Sequence, residues 1–235
     1  MKVKILLIIA IAAAMCQSVV GQVSLNLEWK KNVYPVQIIG AVFSADGNYI
    51  FSAIGNSIQK MDAKTGEFLS VFDKADTLPY SAIDELYITP SGNYILTRDD
   101  GGVAKIWDTR IEKAIFQLSI VNKPGYDGIR ACSISPDEKY LLLGVSVYVG
   151  GVDYNAFLVQ YDINLQKEIR RIPMGFEYGE ITKIAISNDG RYFVTGSIYQ
   201  EQTMDKFWHD RLILWDTETF TPIDTLEDIQ TGNSS

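Results

Sequence analysis

The sequence predicts an all-β fold, a β-propeller built from four-stranded antiparallel blades, with four blades visible. Three observations predict it. One turn position recurs four times, at Gly47, Gly92, Glu138 and Gly190, spaced 45, 46 and 52 residues apart. A second mark, an apolar or aromatic residue followed by Asp, recurs at Met61-Asp62, Trp107-Asp108, Tyr161-Asp162 and Trp215-Asp216, spaced 46, 54 and 54 residues apart. After the turns, apolar and polar side chains alternate as they do in strands, in runs led by Tyr49, Tyr94 and Tyr192. A repeat of about this length with four strands per unit is the pattern of propeller blades.

Taken in chain order, residues 1–21 read as a secretory signal peptide. Lys2 and Lys4 precede an unbroken apolar run from Ile5 to Met15, and Val19 and Gly21 stand where a peptidase site before Gln22 needs small residues. The run is too short to span a bilayer as a helix. A lipid anchor through Cys16 is disfavoured, because Met15 precedes it where a small residue is expected. The expected location is therefore secreted, periplasmic or cell-envelope. The blades follow within residues 22–235, at about 39–72, 83–118, 129–172 and 181–227. Each runs as an apolar strand, a Ser/Pro-Asp/Gly turn, a second apolar strand and a third that ends in the aromatic-Asp mark. The repeated Asp62, Asp108, Asp162 and Asp216 belong to the turn after the third strand, and Trp107, Tyr161 and Trp215 to the blade's packing.

Trp107-Asp108, Trp215-Asp216 and the Ser-x-Asp-Gly turns at Ser44–Gly47 and Ser187–Gly190 resemble the WD-repeat family. The resemblance spans residues 39 to 227 and implies the propeller fold. It departs from the family in one respect: the Gly-His dipeptide before each blade is absent, and His209 is the single histidine of the chain. The buried His-Asp-Ser-Trp network of family blades is thus incomplete at best. The blades resemble the divergent bacterial kind of the family, similar also to other propeller repeats with an Asp-x-x-Thr-Gly turn, as at Asp62–Gly66.

Composition narrows the partners. Loss of the signal leaves 19 basic and 29 acidic residues, a net charge of −10. Such a surface repels phosphate backbones and anionic lipid headgroups, which disfavours nucleic acid and membrane surfaces. The mature chain keeps a single cysteine, Cys132, so no internal disulfide forms. Cys132 aligns with Ala41, Leu86 and Ile184 and reads as a small core residue rather than a nucleophile.

The count of four raises the question of closure. The segment Val23–Lys30 alternates like a strand before the first blade, and the polar stretch Gln230–Ser235 stands where a further inner strand would be expected. Three readings stay open, in order of preference: part of a longer propeller, a ring completed by a copy or partner, and a closed four-bladed ring.

Candidate functional residues follow from loop lengths. From the turn position to the aromatic-Asp mark the blades run 14, 15, 23 and 25 residues. The excess falls in the connections Val147–Asn155 and Ile198–Asp210 between second and third strands, expected as long loops. These carry Tyr148, Tyr154, Tyr199, Phe207, Trp208 and His209, and the connections between blades add Tyr80, Tyr126, Phe176 and Tyr178. Aromatic residues on one loop face of a rigid scaffold suit recognition of a protein, peptide or glycan. The competing reading is that they cap blade ends. His209 is read first as a polar residue opening the third strand of the last blade. The Asp99-Asp100-Gly101-Gly102 run reads as a tight hairpin rather than a metal cluster.

Catalytic motifs are lacking: there is no Gly-x-Ser-x-Gly, no His-Glu-x-x-His and no Gly-rich phosphate loop. A hydrolase or lyase would have to use Asp84, Glu85, Arg130, Glu180 and Lys183 near the channel. The reading favours an exported binding or scaffold module over an enzyme. A structural repeat of a cell-envelope assembly is the third alternative, and no metal or cofactor is expected.

Overall fold

The computed structural model describes residues 38–72, 81–119, 128–150, 153–175, 178–200 and 207–233. Among them every element is a strand, and no helix is long and apolar enough to cross a membrane. The first blade is β1 (Ile38–Phe43), β2 (Tyr49–Ile54), β3 (Ser57–Asp62) and β4 (Phe68–Val71). The second is β5 (Ile83–Ile88), β6 (Tyr94–Asp99), β7 (Val103–Asp108) and β8 (Lys113–Ser119). The third is β9 (Gly128–Ile134), β10 (Tyr140–Gly150), β11 (Asp153–Asp162) and β12 (Lys167–Pro173). The fourth is β13 (Tyr178–Ile186), β14 (Tyr192–Gln200), β15 (Phe207–Asp216) and β16 (Pro222–Asn233). Each sheet is an antiparallel meander in chain order, the architecture of propeller blades.

Two turns repeat in every blade and explain the recurring residues. In the first, the residue at the Gly47 position donates its N–H to the carbonyl three residues back: Gly47 to Ser44, Gly92 to Thr89, Glu138 to Ser135 and Gly190 to Ser187, at 2.8 to 2.9 Å. The position requires a left-handed backbone, with φ of 73°, 74°, 60° and 71°. Glycine meets that need without strain in the first, second and fourth blades, and Glu138 accepts it in the third. The Ser or Thr hydroxyl that opens the turn accepts the N–H of the following Tyr in all four blades, from Tyr49 to Ser44 through Tyr192 to Ser187.

The second turn is built on the recurring Asp. Asp62 Oδ1 accepts the N–H groups of Lys64 and Thr65 and the Thr65 hydroxyl, and Asp216 Oδ1 accepts the N–H and hydroxyl of Thr219. Asp108 takes the N–H and guanidinium of Arg110, and Asp162 takes the N–H of Leu165. These bonds favour the ionised form: Thr65, Thr219 and Arg110 hold Asp62, Asp216 and Asp108 below the usual carboxylate range. The residue four places after each Asp is left-handed: Gly66, Glu112, Gln166 and Phe220.

The blades pack face to face. Phe51, Ala53 and Ile58 of the first meet Ile95 and Trp107 of the second. Leu96, Ala104 and Ile106 of the second meet Leu141, Leu143, Val145 and Cys132 of the third. Leu142 and Leu158 of the third meet Phe193, Ile213 and Trp215 of the fourth. Cys132 is buried, as expected, and burial pushes its thiol up to about 12, far from a reactive thiolate. The Asp99–Gly102 run is the tight hairpin expected, with Gly102 N–H on the Asp99 carbonyl and Val103 N–H on the Asp99 carboxylate.

Two expectations are corrected. Within the connections Val147–Asn155 and Ile198–Asp210 the described residues prolong the paired strands rather than form loops, and residues 151–152 and 201–206 lie outside the described residues. Ser146 to Tyr148 pair with Ala156 to Tyr154, and Ile198 to Gln200 pair with Asp210 to Trp208. Ladder hydrogen bonds along these prolonged strands satisfy backbone groups that a loop would leave to water. The polar stretch from Gln230 is not unpaired either: β16 continues to Asn233, opposite Phe207. The fourth blade therefore draws all four strands from residues 178–233. Val23–Lys30 lies outside the described residues.

Candidate binding cleft

The prolonged hairpins of the last two blades create a feature that the first two blades lack. Cross-strand register sets Tyr178 opposite Gln200, and Gln200 opposite Trp208, in one row across β13, β14 and β15. That row lines a cleft of about 300 Å³, completed by Gly179, Glu180 and Ile198 of the fourth blade and by Arg130 and Ser146 of the third. Trp208 is 37% exposed there, a large apolar surface left open beside polar groups. Arg130 and Glu180 pair across the two blades at 3.5 Å. Ser146 is buried, and its Oγ has no hydrogen-bond partner among the described residues. A buried hydroxyl lining a cleft without a partner is a group that a ligand can satisfy.

A larger hollow, about 440 Å³, lies on the opposite face, lined by Asp137, Tyr140, Asp189, Arg191, Asp216 and their neighbours. Its counterpart between the first two blades is lined by the equivalent Asp46, Tyr49, Ser91, Asn93 and Thr109. A hollow that recurs at the same register belongs to the repeat. Its carboxylates are also committed to their own turns: Asp189 holds Ser187 and Arg191, which draws it down to about 2, and Asp137 holds Ser135. The cleft lined by Trp208 instead draws its walls from the two lengthened blades.

The expected site residues divide. Tyr178 and Trp208 line the cleft, and Tyr178 opens strand β13 rather than sitting in a loop. Tyr199 is not part of an exposed loop surface: it is 5% exposed and packs on Ala156 and Met174 of the third blade. Its ring stacks on His209 at 5.1 Å, and the Arg211 guanidinium lies 4.3 Å from the ring centre. The reason is parity: Tyr199 and His209 are opposite one another, on the side of the sheet turned away from the row of Gln200 and Trp208. His209 thus stands inside β15, which opens two residues earlier at Phe207. Tyr148 pairs with Tyr154 near the tip of the third blade's hairpin. Tyr80, Tyr126, Phe176 and the side chains of Tyr154 and Phe207 lie outside the described residues. Ser146 and Gln200 were not singled out by sequence. Gln200 shares a strand with Tyr199, and only the register with Trp208 shows that it faces the cleft.

The charged residues that an enzyme reading would use are tied together. Glu85, 8% exposed at its side chain, accepts Arg98 at 3.3 Å and Lys183 of the fourth blade's inner strand. Arg98 also reaches Asp84 at 2.9 Å. Lys183 is raised above its ordinary range, chiefly by its bond to Glu85. Asp84 is raised too, first by burial, against the opposing pull of Arg98. These pairs tie the second blade to the inner strand of the fourth rather than converge on a reacting atom. No cluster of three metal-ligating side chains is present among the described residues.

No family model matches the sequence. The chain is 32% identical over 102 residues to a WD repeat-containing protein 55 homolog of Aedes aegypti, covering 43% of this chain and 20% of that protein. Homologs of the same description from Drosophila persimilis and Drosophila pseudoobscura pseudoobscura are 31% identical over 105 residues, covering 44% of this chain and 19% of theirs. The chain spans about a fifth of the length of these curated relatives. The similarity supports the WD-repeat reading of the blades.

Proposed function

We propose that the protein is an exported interaction scaffold that holds a segment of a partner protein in the cleft lined by Trp208, Gln200 and Tyr178 of its fourth blade and by Arg130 and Ser146 of its third. The observation that carries this reading is the row Tyr178–Gln200–Trp208, with the unpartnered Ser146 hydroxyl in the same cleft. An exposed indole beside polar groups, on rigid strands, is the usual make-up of an interface hot spot. The likeness to WD repeat-containing proteins agrees with a protein partner. The net charge of −8 for the whole chain favours a neutral or basic segment. Export rests on the leader-like residues 1–21, ahead of a fold in which Cys132 stays a buried thiol.

Selection of a displayed random-peptide library on the immobilised protein tests the reading. Peptides that survive are expected to lose tenfold or more in affinity for the Trp208→Ala variant, the equivalent of about 1.4 kcal/mol or more. Peptides that bind wild type and Trp208→Ala alike would remove the cleft from the account. Glycan arrays probed in parallel with the same variant test the carbohydrate alternative.

A further inference from the structure

Each blade presents one row of side chains to the blade before it and another to the blade after it. The row facing backwards is Ile88–Ile95–Trp107–Ala114 in the second blade and Ile186–Phe193–Trp215–Pro222 in the fourth. At its centre Ile95 and Trp107 are fully buried, and Phe193 and Trp215 are 1% and 4% exposed. The equivalent row of the first blade is Phe43–Ile50–Met61–Phe68, apolar throughout. There Phe43 is 62% and Phe68 49% exposed, and Ile50 and Met61 are only half-buried.

The fourth blade shows the converse. Its forward row is Ala185–Val194–Leu214, equivalent to Tyr87–Leu96–Ile106 in the second blade. Leu96 is fully buried and Ile106 nearly so under the third blade, whereas Val194 and Leu214 are half-buried and Ala185 is exposed. Terminal repeats of a stacked array normally carry a polar outer face, and neither of these does. Packing joins β1 to β5, β6 and β7 to β9, and β9, β10 and β11 to β13, with no comparable interface from the fourth blade to the first among the described residues.

We propose that the forward face of the fourth blade docks on the backward face of the first blade in a second copy of this chain. The occupant follows from continuity with the three internal junctions. In each of them a buried apolar residue at the centre of the forward row, Phe51, Leu96 or Leu142, meets an apolar or aromatic pair at the centre of the backward row, Ile95 and Trp107, Leu141 and Tyr161, or Phe193 and Trp215. Val194 and Leu214 against Ile50 and Met61 repeat that chemistry a fourth time. The contact is head-to-tail, so two copies form it twice, and the eight blades of the pair lie within the range of closed propellers.

Light scattering on the purified chain, followed through dilution, is expected to give twice the chain mass. Phe43→Glu, at a position exposed enough to leave folding intact, and Leu214→Glu should each halve that mass. An equimolar mixture of the two variants should restore the pair, because one junction in it keeps both native faces. A wild-type monomer at every concentration would overturn the proposal and leave the two faces to blades carried elsewhere. A pair that survives both substitutions, with circular dichroism unchanged, would overturn it as well.

Discussion

At the scale of single residues, the blades differ in how completely they keep one buried contact. Trp107 Nε1 donates to Thr97 Oγ1 at 2.9 Å, and Trp215 Nε1 donates to Thr195 Oγ1 at 2.9 Å. In the third blade Tyr161 and Leu143 stand at the same two positions, and the pair is gone as a unit. The first blade retains half of it: Ser52 is buried, but Met61 replaces the indole, and Ser52 Oγ has no partner among the described residues. Leaving a buried donor unsatisfied costs about 1–3 kcal/mol, whereas deleting a polar atom that already lacks a partner relieves that cost. Thr97→Val should therefore destabilise the protein by roughly 1–3 kcal/mol. Ser52→Ala should be neutral or stabilising. Urea denaturation of the two variants checks both signs, and equal losses would contradict this account of the contact.

At the scale of elements, the turns were legible in the sequence and the hairpin tips were not. Turn chemistry is local: a left-handed position or an Asp that caps its own backbone leaves its mark within five residues, so counting from Gly47 or Asp62 recovers the register. The lengthened strands of the last two blades carry no such mark. Val147, Tyr148 and Tyr199 read equally as loop aromatics or as strand residues, and pairing across the hairpin decides between them. The Gly150-Gly151 pair was the available signal for a hairpin there. For the same reason the sequence pattern does not separate Trp208, which lines the cleft, from Tyr199, which packs on the third blade: one residue of register changes the face. Close approach of elements is also invisible to pattern. A Cβ added at Gly144 would lie 2.6 Å from Ile181 Cβ, across the junction of the third and fourth blades. Gly144→Ala should force those blades apart and cost about 1–3 kcal/mol. It should also blunt binding at the cleft, which the same two blades line. A variant with wild-type thermal stability would show that the junction yields more easily than this spacing implies.

At the scale of the whole molecule, repetition separates what the fold needs from what the protein adds. The turn hollows recur between blades, and so do the cross-blade polar links: Lys60 to Glu112 at 2.8 Å, Ser91 to Glu138, and Arg170 to the Thr219 carbonyl at 3.1 Å. The prolonged hairpins, the cleft they line and the two outer faces that no described residue covers stand apart from the repeat. Gln200 and Trp208 share a sheet face with Val194 and Leu214, so assembly and binding are neighbours in space. They remain separable, because Trp208→Ala leaves the docking rows untouched and Phe43→Glu lies on another blade. The central claim is that a partner segment occupies the cleft of the third and fourth blades. Hydrogen–deuterium exchange with a display-selected peptide bound tests it most directly. The account predicts added protection at residues 178–180, 198–200 and 208, with the turns around Asp46, Asp137 and Asp189 unchanged. Protection confined to those turns would contradict it.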